Sequence, residues 1–526
     1  VPNSVTLLSV TPDPTLAETP PETRSTAGMT TKVVKGSLWT IAGQFVPMAV
    51  SFFTTPLIIR KLGAESYGVL VLVWSIPTYL GFADLGMSTA STRFAAEAYG
   101  SNDSDSESRS IWTAAAISLV ASLPWAIALI VYSDFIVKFL NVPDVIREDA
   151  GLAVKFTAVM MVVTFLNSIF NTPQLVRLRM DVNTAINSGF RILGLLTSAL
   201  AIHWYGAIAL AALSLLIATL AQLVVQVVAG RLLFIELMPV RFSRAAIGPL
   251  VKYGAALAVA AVAGLAIMNI DKVVLARVAS VEMVAYYAVA FTFATLSMLA
   301  SSAAAQSLIP AFSQLQSPDK LNELSSLFER AVRINIFAVL PLIVGLFVIG
   351  KPLMALWAGP SFAENGSLPL RVLLVGVLFS LISIIPYSLL LASGRSHTIA
   401  LLFWLELLPF LALLIVLAAS YGITGAAVAW SIRSVGDAVL MWGFARRYNR
   451  ISLVFVKDNL NKVTIALLLL LWPILATIYF SDNVVPTFVI FAISTSVYGV
   501  FLWNYMLSEN ERTFVRSTLS FSLNEN

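Results

Sequence analysis

The chain has 526 residues, of which 58% are hydrophobic and 12% charged, with a formal net charge of +5 and no cysteine. A water-facing surface takes roughly a quarter of its residues as charged groups, so this composition excludes a soluble globular protein. Without thiols there are no disulfides, no thiol catalysis and no cysteine-ligated metals, and the basic residues sit in short loops rather than in a groove suited to nucleic acid.

Residues 1–35 are rich in Thr, Pro, Ser and Glu and lack hydrophobic periodicity, which predicts a disordered tail. They have neither the basic start nor the apolar core of a signal peptide. The text from Met29 onward, with Lys32 and Lys35 ahead of the first apolar run, reads as a natural beginning.

Apolar segments then fall near 37–59, 67–88, 111–133, 152–172, 184–203, 206–235, 249–275, 282–308, 332–350, 369–393, 398–419, 422–444, 462–480 and 484–507. Each is long enough to cross about 30 Å of hydrocarbon. Stretches 254–268 and 465–480 do not alternate polar with apolar residues, as barrel strands would. The fold class expected is therefore an all-α polytopic membrane protein of about fourteen transmembrane helices. Bends are expected at Pro47, Pro77, Pro124, Pro341 and Pro386. The polar loop 100–110 reads as flexible. His203 and His397 lie far apart at span ends and read as interfacial side chains, not as a metal site.

With the N-terminus inside, cytoplasmic segments hold 22 of the 33 Lys and Arg residues and outer segments hold 8, which predicts that both termini are cytoplasmic. An offset of 216 residues lays Lys61 on Arg277, Arg179 on Arg395, and Tyr205-Gly206 on Tyr421-Gly422. This predicts two six-helix bundles, over 36–246 and 247–450, related by a pseudo-twofold axis along the membrane normal, with two further helices and a short cytoplasmic tail in 451–526.

Certain runs carry a resemblance. They are Lys35-Gly36-Ser37-Leu38-Trp39, Pro56-Leu57-Ile58-Ile59-Arg60-Lys61-Leu62-Gly63 with Glu65-Ser66-Tyr67-Gly68, and Phe82-Ala83-Asp84-Leu85-Gly86-Met87. The later part adds Asn269-Ile270-Asp271-Lys272, Ala285-Tyr286-Tyr287, Ile309-Pro310-Ala311-Phe312-Ser313 and Tyr421-Gly422-Ile423-Thr424-Gly425-Ala426-Ala427. In order and spacing, over roughly 30–450, they resemble the Wzx-type oligosaccharide flippases. These are the polysaccharide-transporter branch of the multidrug/oligosaccharidyl-lipid/polysaccharide superfamily. The resemblance implies a non-enzymatic transporter in a bacterial inner membrane, working by alternating access between the bundles. It would flip undecaprenyl-pyrophosphate-linked oligosaccharide repeat units for polysaccharide, including lipopolysaccharide, biosynthesis. The partners implied are the lipid-linked oligosaccharide, membrane lipids and, as candidates, polysaccharide assembly proteins. No cofactor is implied. A cation-coupled multidrug exporter of the same superfamily is the alternative, and acidic cavity residues would favour it. A glycan polymerase or ligase is a second alternative, but it would carry a large outer loop, and the outer loops here are short.

Ionisable residues within spans are costly and face cavities or partners. Asn183, Asn187 and Arg191 are spaced by four and form a polar stripe on one helix face, with no countercharge three or four residues from Arg191. Arg433 and Asp437 are four apart and can pair. Asp271 and Lys272 are adjacent, point in different directions, and are not expected to neutralise each other. Candidate substrate-binding residues are Arg191, Lys272 and Arg433, because guanidinium and ammonium groups suit pyrophosphate. Candidate ion-coupling residues are Asp271, Glu406 and Asp437. Asp84 reads as a cap or packing residue. No catalytic or metal constellation is present. The phosphate-loop-like run 345–351 has Pro352 where Ser or Thr must ligate magnesium, and it ends a span.

Overall fold

The computed structural model describes residues 26–513 apart from 235–236, 238–239, 450–453, 481–483, 507–508 and 510. Among the described residues there is no strand. The helices in chain order are α1 (Thr26–Tyr79), α2 (Met87–Gly100), α3 (Ser104–Val131), α4 (Ser133–Phe139), α5 (Asp144–Phe170), α6 (Thr172–Val176), α7 (Met180–Tyr205) and α8 (Ile208–Leu233). They continue with α9 (Arg244–Val278), α10 (Val281–Leu296), α11 (Met298–Gln314), α12 (Leu321–Trp357), α13 (Pro360–Ala392), α14 (Ser396–Asn449), α15 (Val454–Tyr479) and α16 (Val484–Phe501). The tail expected over 1–35 lies outside the described residues as far as residue 25, and α1 starts at Thr26.

Among the described residues, ten helices are long and apolar enough to cross a bilayer. Two of them, α1 and α14, each hold a pair of spans broken at Gly63 (φ 76°) and Gly422 (φ 57°). The bent pair α10–α11 supplies one more span and the apolar stretch Thr464–Tyr479 another. These bring ten to the expected fourteen. The break in α10–α11, bent by 50°, falls at 297–300 and not at any of the prolines where bends were expected.

Positive φ marks where the chain turns sharply, and these turns recur at the offset of 216. Leu178 (φ 54°) falls on Gly394 (φ 71°), and Gly206 (φ 65°) falls on Gly422. The Gly63 break falls on Ala279, which caps the end of α9. Glycine adopts this backbone region without the steric cost that a Cβ brings, so conserving the turn at Leu178 requires strain where its counterpart has none.

At one end of the helices the first six spans pack closely on the later ones. Phe52, Phe293 and Trp357 form an aromatic cluster with ring centroids 5.2–6.1 Å apart. The Trp357 indole donates to the Phe52 carbonyl at 2.9 Å, Arg60 donates to the Leu356 carbonyl at 2.9 Å, and Asn141 donates to the Arg277 carbonyl at 2.9 Å. Gly68 packs directly against the Val281 carbonyl, with no room for a side chain. Toward the other end, the loop expected to be flexible is short and pinned. Glu107 and Asp105 of α3 pair with Arg177 and Arg241, respectively, and Trp112 donates to the Leu237 carbonyl at 2.6 Å. The last two helices lie on α12, where the Tyr498 hydroxyl donates to the Phe337 carbonyl at 2.8 Å and Glu511 pairs with Arg330 and Arg333.

Candidate functional site

Two polar regions lie within the apolar spans, one built by helices of the first six spans and one by later helices. The first is a cavity of about 520 Å³ between α1, α5, α7 and α8. Small residues let these helices approach: Gly43 of α1 packs on Thr184 and Ser188 of α7, and the Ser188 hydroxyl donates to the Gly43 carbonyl at 2.9 Å. Such close approach supplies much of the association of membrane helices, since lipid gives no hydrophobic drive.

A ladder of amides crosses the wall. Asn187 donates to Asn183 at 2.7 Å, Gln222 and Gln226 of α8 both donate to Asn187 at 2.8 and 3.2 Å, and Gln174 donates to Gln226 at 2.7 Å. Asn167 of α5 donates to the Thr219 carbonyl at 3.0 Å. The polar stripe expected on α7 is therefore present, and it is continued onto α8 by glutamines that sequence reasoning did not single out. Arg191 lines the cavity, and among the described residues it makes no hydrogen bond or ion pair with another side chain. Two lining residues, Trp74 and Asn167, each bury a polar atom without a hydrogen-bond partner, the indole nitrogen and the side-chain oxygen. Its lining contains no Asp or Glu. The site thus combines a guanidinium with no side-chain partner among the described residues and a set of neutral amides and hydroxyls.

The second region is a buried charged cluster on α9 and α14. Gly376 of α13 faces Ser431 and Trp430 of α14 with no space for a Cβ, which draws these two helices together at the level of the cluster. Lys272 pairs with Asp271 at 3.3 Å, and the Lys272 backbone N–H also donates to that carboxylate at 2.8 Å. This corrects the expectation that the two adjacent residues do not neutralise each other. A lysine's long stem folds back along the helix, so a difference in Cβ direction does not prevent the contact.

Arg433 pairs with Glu406 at 3.2 Å, across the two spans of α14, rather than with Asp437 four residues on. Asp437 instead accepts the Ser383 hydroxyl at 2.6 Å. The i,i+4 pairing rule describes an isolated helix, and here a neighbouring carboxylate competes for the guanidinium and wins. Lys272 and Arg433 also lie over aromatic rings, Phe291 at 5.0 Å and Trp430 at 5.5 Å. The three candidate ion-coupling residues and two of the three candidate substrate-binding residues thus come together, while Arg191 stands apart in its own cavity.

The remaining candidates have ordinary structural partners. Asp84 accepts the backbone N–H of Ser88 at 3.0 Å and the Ser118 hydroxyl of α3 at 2.5 Å, within the cap-or-packing reading. His203 and His397 are exposed near the end of α7 and the start of α14. Among the described residues no group of His, Cys, Asp and Glu could hold a metal ion.

Known proteins place this architecture. The sequence pattern of the family described as "Polysaccharide biosynthesis protein" matches residues 33–316. A Shigella flexneri protein named as a candidate O-antigen transporter is 24% identical over 423 residues, covering 79% of this chain and 98% of that protein. Among solved structures, the lipid II flippase MurJ in an inward closed conformation superposes with a TM-score of 0.71 at 16% identity, over 88% of this chain and 97% of its own. An inward-facing multidrug-resistance transporter of the MATE family superposes with a TM-score of 0.62 at 14% identity, over 79% of this chain and 99% of its own. The chain belongs to the polysaccharide biosynthesis protein family and has the fold of the multidrug/oligosaccharidyl-lipid/polysaccharide superfamily.

Proposed function

We propose that this protein flips an undecaprenyl-pyrophosphate-linked oligosaccharide across a bacterial inner membrane during polysaccharide assembly. The observation that carries this reading is the charge of the Arg191 cavity, which among the described residues has one guanidinium without a side-chain partner and no carboxylate. A guanidinium in low dielectric binds phosphate oxygens through two parallel charge-assisted hydrogen bonds. The surrounding amides, Asn187, Gln222 and Asn167, match the hydroxyls of sugars. An exporter of cationic drugs would need a carboxylate where Arg191 stands. The buried carboxylates of the other cluster do not supply one, since two of them are already paired with Lys272 and Arg433. Family membership agrees with a role in polysaccharide assembly, and the similarity to the Shigella O-antigen transporter candidate favours transport over a polymerase or ligase.

Lys272 and Arg433 drop from the substrate side of the proposal, because each has a carboxylate partner at 3.2–3.3 Å. The polyprenyl tail stays in lipid, and both termini face the cytoplasm, as the distribution of Lys and Arg favours. The test is export of surface polysaccharide, measured together with membrane abundance. Arg191→Ala abolishes export at near-normal abundance, and Arg191→Lys restores part of it by keeping the charge without the planar fork. Full export by a normally abundant Arg191→Ala variant overturns the reading.

A further inference from the structure

The close packing between the first six spans and the later ones repeats itself at the offset of 216. Asn141, in the turn between α4 and α5, falls on Trp357 at the end of α12, and Arg60 falls on Ala276. The starts of α5 at Asp144 and of α13 at Pro360 stand at the same offset. Asn141 and Trp357 each donate a side-chain hydrogen bond across the seam. Asn141 reaches the Ala276 and Arg277 carbonyls of α9 at 3.2 and 2.9 Å, and Trp357 reaches the Phe52 carbonyl of α1 at 2.9 Å. Arg60 returns a bond to the Leu356 carbonyl at 2.9 Å.

The acceptors share a physical origin. A helical carbonyl takes its hydrogen bond from the N–H four residues on. Four residues after Phe52 stands Pro56, and four after Leu356 stands Pro360, and proline has no N–H to give. Ala276 and Arg277 lie in the last turn of α9, where carbonyls have no donor within the helix. Each bond across the seam therefore caps a carbonyl that its own helix leaves open. Gly68 of α1 meets the Val281 carbonyl at the start of α10 with no room for a Cβ, so any side chain there would force the two sides apart. Asn141 and Trp357 are neutral and Arg60 is exposed, so parting the seam strands no buried charge. Water can replace each donor on its carbonyl.

We propose that Asn141 and Trp357, assisted by Arg60, are paired latches that hold this end of the molecule shut and release together by exchanging their carbonyls for water. The latches do not depend on what the Arg191 cavity binds, nor on which side of the membrane this end faces.

Pulsed electron spin resonance on the full-length protein in lipid bilayers tests this, with spin labels on cysteine pairs placed in the cysteine-free chain. Lys61→Cys/Lys351→Cys reports the latched end and Ser101→Cys/Ser396→Cys the opposite one, all four positions being exposed. Gly68→Leu, which wedges the seam, adds a population that is longer across the first pair and shorter across the second. Asn141→Ala and Trp357→Phe add the same population in smaller amounts, and their combination adds more than either alone. Pro56→Ala adds it with every donor in place, because a restored N–H then competes with Trp357 for the Phe52 carbonyl. Should Gly68→Leu fail to fold, the Asn141→Ala/Trp357→Phe combination decides. Unchanged distances in that combination overturn the proposal, as does lengthening at the latched end without shortening at the other, the mark of local loosening. Wild-type distances in Pro56→Ala overturn it too.

Discussion

The pair Glu107–Arg177 joins α3 to the turn after α6, and its loss is the most direct stability test that the fold offers. The two nitrogens of Arg177 meet the two oxygens of Glu107 at 2.5 and 3.1 Å. The Glu107 side chain is 1% exposed and that of Arg177 is 15% exposed, so water screens the pair little. The guanidinium also lies on Tyr99 at 4.7 Å and on Phe234 at 4.8 Å. Glu107→Gln removes the charge and keeps the shape, leaving a buried cation without a counterion. Breaking a buried pair from one side costs about 3–5 kcal/mol. The two ring contacts, worth about 0.5–2 kcal/mol each, survive in the variant and hold the loss near the lower end. At roughly 2 °C or less per kcal/mol for a chain of this size, the apparent melting temperature falls by about 5 °C. The assay is thermal unfolding of the detergent-solubilised protein. The double variant Glu107→Gln/Arg177→Met should be more stable than Glu107→Gln alone, since it leaves no uncompensated charge. A Glu107→Gln variant as stable as the wild type refutes the assignment of this pair as a buried strut.

Two further outcomes follow from the fold. Tyr498→Phe removes the hydrogen bond to the Phe337 carbonyl and costs about 1 kcal/mol, read as a lower unfolding temperature with unchanged export; an unchanged temperature would show that this contact does not hold α16 on α12. In this cysteine-free chain, Ser101→Cys is labelled by an impermeant thiol reagent only from the cytoplasm and Ser361→Cys only from outside, and reversed labelling overturns the orientation drawn from Lys and Arg.

The spans were legible in the sequence because each must hide its backbone in hydrocarbon, and that requirement writes an apolar block for every crossing. The turns at Gly206 and Gly422 could be read for a related reason: they fall where apolar blocks abut with almost no polar linker. Cross-helix pairings could not be read this way. Glu107 meets Arg177 and Glu406 meets Arg433 through helix packing, and no local spacing rule ranks such partners above Asp437, which sits four residues from Arg433. The α7 stripe of Asn183, Asn187 and Arg191 was visible because a charge drew attention to it. Gln222 and Gln226 have the same spacing of four on α8, but they are neutral and were passed over. Searching each apolar span for amides at helical spacing would have found them. Trp74 and Asn167 carry no such signal, since an indole and a single amide in a span are ordinary until the cavity between them is seen.

The central claim is that the Arg191 cavity receives a pyrophosphate-bearing lipid, and labelling a cysteine placed in its wall tests this most directly. Ser168 lines the same cavity, and Ser168→Cys introduces the chain's sole thiol there. Undecaprenyl pyrophosphate added to the purified protein in detergent should slow modification of this cysteine. Undecaprenol of the same chain length should not, and Arg191→Ala in the Ser168→Cys background should abolish the protection. Equal modification rates with and without undecaprenyl pyrophosphate, or protection by a cationic dye in its place, would contradict the account.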